Sequence, residues 1–465
     1  MISVTVQIDR DAAVPLRTQI ASAYTAAIRE GRLVAGTVLP SVRALSGRLG
    51  VSPVTVAAAY RDLCATGLAT ALPRSGVRVS GVPVAPVAER RGFELNRIEP
   101  DLRRHPVAEC ARLIGEVARD PAAGGYAEYR GERVLRDAIA AFDRTLGIDV
   151  DPASSLLITS GAQQALSLLG RVWPVGTAVA VEDPCYPGAR LAFAGAGATL
   201  VPLAVGEDGP EAAALNILAE PGRVAAFYCC PTHANPTGLS WSEAARRRVL
   251  AAAQRGGAWL IEDDYLGDLD ATPEALPRLA ALAGEYPGAR VVRVRTFSKT
   301  LLPALRLAGV SAEPALIARL LALKVADDLG CSALLQRALA AFLCEGGYQR
   351  HLERVRPGYV AVRQHLSAAL AGLAPAITFA GPFGGFCLLG RLASGIDTSR
   401  FLAECAQLGL QLTPGADYWA DGLSGSDCFR MGFGALAPDE VATVVGLLGR
   451  AALLASAPTA ARSLL

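Results

Sequence analysis

The 465-residue sequence predicts a small helical head ending in a β-hairpin, followed by an α/β body on a buried, mostly parallel sheet. Three observations predict it. In residues 1–80 apolar residues recur at helical spacing, with Ser, Pro and Gly where caps and turns belong. From about residue 96, continuous apolar runs (SLLITSG, TAVAVED, AAFYCCP, AWLIEDD, ARVVRVRTFS) alternate with Ala-rich stretches, the pattern of strands buried on both faces between helices. Charge divides the chain in the same way. Residues 1–80 carry nine Arg against Asp9, Asp11, Glu30 and Asp62, a net +5, although the whole chain is only +2.

In the head, Leu16, Ile20, Tyr24, Ala27 and Ile28 share one face of a first helix. A second helix opens at Ser41, carries Val42, Leu45 and Leu49, and stops at Gly50. Ser52 and Pro53 begin a third, which Gly67 closes. LATAL and VRVS then read as two strands around PRSG. Two short helices across a tight turn with a following wing make a winged helix-turn-helix, whose second helix enters the DNA major groove. The basic balance of the head fits a polyanionic partner.

Residues 81–95 read as a linker, rich in Pro, Val and Ala without helical period, and residues 96–455 as the body. The last stretch, AALLASAPTAARSLL, is compositionally simple and is expected to fray. With 52% hydrophobic and 19% charged residues the chain can bury large cores, which excludes a disordered protein. It shows neither a secretory leader nor the roughly 20 apolar residues of a membrane span, so a cytoplasmic protein is expected. Ten cysteines without C-x-x-C spacing and four scattered histidines suggest reduced thiols and no metal site.

Lys299 and Lys324 are the only lysines. Lys299 follows the strand VVRVRTF, at the carboxyl end where open α/β sheets bind ligands. A neutral lysine amine there forms Schiff bases, notably with pyridoxal phosphate. That cofactor asks for a carboxylate at its pyridinium nitrogen, and IEDDYLGDL offers Asp263, with Tyr265 to reach the ring hydroxyl. Its phosphate asks for a helix N-terminus and a cation. Gly161, Ala162 and Gln163 open a helix after SLLITS, and Arg306 follows the lysine by seven residues. Tyr186 in EDPCYPG is a flat neighbour for the ring.

The head resembles the GntR family of bacterial regulators, through PLRTQI, LPSVRALSGRLGVSPVTVAAAYRDL and the spacing between them. The resemblance implies DNA contacts from Arg43, Ser52 and Thr55, with Arg74 and Gly76 in the wing. Pro53 and Val54 stand where family members often carry Arg, which takes bidentate guanine reading away from the helix start.

The body, over about residues 96–450, resembles the fold-type I aminotransferases, with a smaller C-terminal α+β subdomain. PTHANPTG matches the loop that brings Asn235 to the cofactor ring hydroxyl. TFSKTLLPALRLAG matches the lysine loop, with Ser298 and Lys299 at the cofactor and Arg306 on its phosphate. The resemblance also implies that Tyr126 reaches the neighbouring subunit's phosphate, hence a homodimer, and that Arg430 of FRMGFG grips a ligand carboxylate. A GntR head on such a body is the architecture of the MocR/GabR regulators. The expected function is a pyridoxal phosphate-dependent, DNA-binding transcriptional regulator that senses the cofactor or an amino compound at Lys299. The alternative is a working aminotransferase that carries a DNA-binding head.

Overall fold

Three helices and a hairpin make the head: α1 (Leu16–Arg29), α2 (Val42–Leu49), α3 (Pro53–Ala65), β1 (Ala69–Leu72) and β2 (Gly76–Val79). This computed structural model describes residues 8–10, 14–29, 33, 37–65, 69–72, 76–79, 92–270 and 276–456. The chain divides into two units, Met1–Arg91 and Gly92–Leu465.

The spacing of apolar residues sets the packing of the head. Ile20, Tyr24, Ala27 and Ile28 of α1 are buried with Leu45 of α2 and Val56, Ala59, Tyr60 and Leu63 of α3. Ser41 Oγ accepts the Ala44 N–H at 3.2 Å, a cap worth about 1 kcal/mol. Gly50 ends α2 in the left-handed region at φ 61°, where a side chain would be strained. Ser52 Oγ accepts the Val54 N–H at 3.2 Å, capping α3. β1 and β2 pair antiparallel. Residues 37–39 join them, with Leu39 N–H donating to Val77 O and Val79 N–H to Thr37 O, a pairing the sequence pattern does not signal. Arg74 and residues 80–91 lie outside the described residues.

The body begins earlier than expected. Phe93 bridges to Leu410 and Leu95 is buried, so residues 93–95 belong to the body and not to a linker. The main sheet uses β3 (Leu156–Thr159), β4 (Ala178–Asp183), β5 (Thr199–Gly206), β6 (Gly209–Pro210), β7 (Ala226–Cys229), β8 (Trp259–Asp264), β9 (Arg290–Thr296) and β10 (Ala308–Ser311). Their order is β3-β10-β9-β8-β7-β4-β5-β6. From β9 to β5 the neighbours run parallel, and β10 lies antiparallel between β9 and β3. The loops after β3, β4, β7, β8 and β9 therefore leave one common edge.

A second sheet, ordered β11-β12-β14-β13, joins β11 (Ile377–Phe379), β12 (Cys387–Leu392), β13 (Thr413–Pro414) and β14 (Cys428–Gly432). The 24-residue helix Gly347–Leu370 spans two cores. Its first half packs Tyr348, Leu352, Val355 and Tyr359 into the core that holds the lysine loop. Its second half packs Val362, Leu366 and Leu370 against the small sheet. The C-terminal stretch does not fray at its start: the helix Val441–Ser456 buries Ala451, Ala452 and Ala455. Residues 457–465 are outside the described residues.

Candidate cofactor and DNA-binding sites

The pleat of β8 decides which acid can serve a ligand. Asp263 lies on the same sheet face as Ile261, and Tyr228 donates to its Oδ2 at 2.7 Å. Its Oδ1 is buried and has no partner. Burial raises the Asp263 carboxyl to about 6, with Tyr228 opposing and Asp264 adding to the rise. Glu262 and Asp264 project to the other face. Glu262 accepts the N–H groups of Leu279 and Ala280, at 2.7 and 3.0 Å. Asp264 is bound by Arg293 at 2.7 Å and by Arg278 at 3.2 Å.

Asp263 faces a cavity of about 380 Å³ whose lining includes Ala162, Gln163, Tyr186, Asn235, Tyr265, Ser298, Lys299, Arg306 and Arg430. Burial lowers the Lys299 ammonium below its ordinary value; Glu99 opposes this, while Arg306 and Arg430 add to it. Lys324 is no substitute, because it is buried and its Nζ donates to both oxygens of Asp328, at 2.6 and 2.7 Å. Arg306 adopts φ 47° and donates to Ser160 O at 3.3 Å. Gly161, at φ 82°, leaves room for that guanidinium, since a Cβ there would lie 2.7 Å from Nη2. Ala162 and Gln163 open the helix Ala162–Gly170 beside it. Tyr186 O–H donates to Gln163 Oε1 at 3.2 Å. Ser298 is buried and accepts from Thr296 Oγ1 at 3.2 Å.

One expected contact takes another form. Tyr265 lines the cavity, but its O–H donates to His233 O at 2.6 Å, so toward a ligand its oxygen is an acceptor. Tyr126 is 90% exposed and does not line this chain's cavity. Arg430 donates from Nε to Tyr418 Oη at 2.7 Å, and from Nη2 to Asn96 O and Thr413 Oγ1. Its Nη1 is buried and unpartnered, as is Asn235 Oδ1.

Sequence reasoning missed Tyr228, Tyr418 and Ile98, which also line the cavity. Missed too are His105 and His351, whose rings meet at 4.8 Å and bond the carbonyls of Leu301 and Thr300. Behind the site, Arg293 and Arg295 share Asp143, and Arg295 also binds Asp268 at 2.6 Å, all buried. Arg293 and Arg295 alternate with Val292 and Val294, so a period-2 reading of β9 could have flagged them. No cluster of metal-ligating side chains occurs among the described residues, and the ten cysteines are unpaired, most of them buried.

In the head, Arg43 and Ser52 are exposed and Thr55 is half-buried. Gly76 opens β2 at φ 87°, with nothing within 4 Å of where a Cβ would lie.

Residues 95–448 match the model of the class I and II aminotransferases, and residues 16–79 that of the GntR family of bacterial regulatory proteins. The chain belongs to the class I and II aminotransferases, with a GntR-family head. It thus shares the architecture of the MocR/GabR regulators. It is 32% identical to the probable rhizopine catabolism regulatory protein MocR of Rhizobium meliloti, over 78% of each chain. It is 28% identical to the HTH-type transcriptional regulator TauR of Rhodobacter capsulatus, over 94% of this chain and 96% of TauR. Among solved structures it resembles LysN, the α-aminoadipate aminotransferase of Thermus thermophilus, in complex with N-(5′-phosphopyridoxyl)-L-leucine. The TM-score is 0.72 at 31% identity, covering 78% of this chain and 92% of that one.

The cofactor of this aminotransferase-family chain is pyridoxal 5′-phosphate, and the cavity fits it. A buried acceptor without a partner at Asp263, an unpartnered Asn235 oxygen and a helix start beside Arg306 are what its ring nitrogen, ring hydroxyl and phosphate require. Among the described residues no helix is long and apolar enough to cross a membrane.

Proposed function

We propose that the chain is a pyridoxal phosphate-dependent transcriptional regulator that binds double-stranded DNA through its head and responds to the cofactor, or to an amino compound, at Lys299. The observation that carries the reading is the pairing, in one chain, of a winged helix-turn-helix with a cavity whose unpartnered buried atoms match the cofactor. In this reading Asp263 accepts from the ring nitrogen through Oδ1 and keeps it protonated. Asn235 and Tyr265 meet the ring hydroxyl, and Tyr186 lies against the ring. Gly161, Ala162, Gln163, Ser298 and Arg306 hold the phosphate, joined by Tyr126 of the partner subunit in a homodimer. Arg430 Nη1 takes the carboxylate of an amino compound. When bound, the cofactor supplies a carbonyl carbon that amines capture.

Lys299 is the one amine in the cavity, and its burial favours the neutral, nucleophilic form. An effector that prefers one arrangement of the protein shifts its population, and with it the affinity for DNA. Binding of the full-length protein to the DNA upstream of its own gene tests this. Cofactor and amino compounds should change the affinity, and Lys299→Ala should abolish the change while leaving DNA binding in place. Borohydride should fix the cofactor to Lys299; fixation to Lys324 would refute the site assignment.

Retention of every cofactor-facing group favours transamination as the second reading. Repeated turnover of an amino donor and a keto acid, with no effect of either on DNA affinity, would establish it.

A further inference from the structure

We infer that the outward face of α3 reads thymine methyl groups, with Val54 as the specificity-determining side chain of the head. The inference rests on the DNA-binding reading above and goes further, to the class of base the helix recognises.

The geometry of α3 separates two faces. Val56, Ala59, Tyr60 and Leu63 are buried in the core of the head. Pro53, Val54, Ala57, Ala58 and Arg61 point away from it, and Val54 is 72% exposed, the most exposed large apolar side chain described in the head. Positions 54, 57, 58 and 61 follow i, i+3, i+4, i+7, so they form one stripe. The stripe holds no side-chain hydrogen-bonding group before Arg61. Ser52 Oγ is engaged by the Val54 N–H, and Thr55 is half-buried.

Arg43 and Arg48 are exposed on α2, and Arg61 ends the stripe on α3. The acid next to Arg61, Asp62, is paired with Arg17 at 2.6 Å. An apolar stripe that ends in an exposed arginine, with further exposed arginines on the preceding helix, complements a polyanion that offers an apolar group inside a groove. In the DNA major groove the base edges present hydrogen-bonding groups and one apolar group, the C5-methyl of thymine. The arginines would then hold phosphates and set the register, while Val54 and Ala57 meet methyls.

The test selects duplexes from a random-sequence pool with the full-length protein, then remakes the enriched duplex with uracil in place of thymine, which removes only the methyl. Uracil at the contacted position should weaken wild-type binding about fourfold for each methyl lost, the effect of one buried CH₂-sized group. Val54→Ser should bind thymine and uracil alike at the position that Val54 meets, with the same salt dependence as wild type. Enrichment of G·C at the centre of each half-site, equal binding of both duplexes by wild type, or binding without sequence preference would overturn the inference and leave DNA binding standing. Absence of any salt-sensitive binding would overturn the DNA-binding reading itself.

Discussion

His351 Nε2 lies 3.0 Å from the carbonyl oxygen of Thr300, the residue after Lys299. The next carbonyl, that of Leu301, bonds His105 Nδ1, and His105 Nε2 accepts from Tyr359 Oη at 2.7 Å. Tyr359 Oη in turn accepts the Asp101 N–H at 3.2 Å. The first segment of the body and the helix Gly347–Leu370 thus hold two consecutive peptides of the lysine loop. That loop is otherwise closed by Phe297 N–H on Leu307 O.

Loss of the His351 donor should loosen this anchorage. His351→Leu leaves a buried carbonyl without its partner, at a cost of about 1–3 kcal/mol, and His351→Gln, which keeps an N–H donor, should recover part of it. Urea unfolding at pH 7 measures both. Burial, with His105 adjacent, lowers the His351 imidazolium to about 4. The unfolded chain takes up this proton near 6.5, so the site costs the fold stability progressively as pH falls from about 6.5 to 4, and nothing above that window. The leucine variant should show a shallower loss there. Asp263, raised to about 6, acts in the opposite sense between about 3.8 and 6, so the comparison must be made between variants.

Cofactor affinity should carry the signature of Asp263. Its carboxylate is needed to accept from a protonated ring nitrogen, and without ligand it takes up a proton near 6. Affinity should therefore lose its Asp263-dependent part as pH drops below about 6. Asp263→Asn should weaken binding and remove that part of the pH dependence. Equilibrium titration of the cofactor across pH 5–8 with both proteins decides it.

Arg293 is 1% exposed and bridges Asp143 at 2.8 Å and Asp264 at 2.7 Å. Arg293→Met should destabilise the body by about 3–5 kcal/mol, because two buried carboxylates each lose one of two arginines, leaving Asp143 with Arg295 and Asp264 with Arg278. Adding Asp264→Asn should return part of the loss. In the folded fraction borohydride should still fix the cofactor to Lys299, since the network lies on the opposite face of the sheet.

Tyr126 tests the shared site. Sedimentation should give about twice the 48.2 kDa of one chain. Homodimers of Tyr126→Ala should bind the cofactor weakly, and those of Lys299→Ala should not be fixed to it by borohydride. Mixed dimers rebuild one intact site, so tight binding and fixation should return on mixing. No recovery after verified exchange of subunits would show that each site is made from one chain.

Arg43 is exposed on α2. If it meets a phosphate, Arg43→Ala should weaken binding to promoter and random DNA alike and flatten the log–log salt slope by about 0.9. A loss confined to one sequence would make it a base contact.

The sequence by itself determined the local elements and the type of chemistry. Caps at Ser41 and Ser52 and the turn at Gly50 follow from residue type, and the burial of α1 and α3 follows from the 3.6-residue period. Lys299 stood out because it is one of two lysines and follows a strand, and Asp263 because an acidic run ends another. The choice of Asp263 over Glu262 and Asp264 needed the tertiary structure. The pleat turns the three acids alternately, and only the packing of the sheet shows which face holds Tyr228 and the cavity and which holds Arg278 and Arg293. The start of the body at Gly92, the capture of Tyr265 by His233 O and the grip of His105 and His351 on the lysine loop were equally hidden. Each joins residues far apart in the chain, and no local periodicity encodes such a meeting, because packing of whole elements sets it.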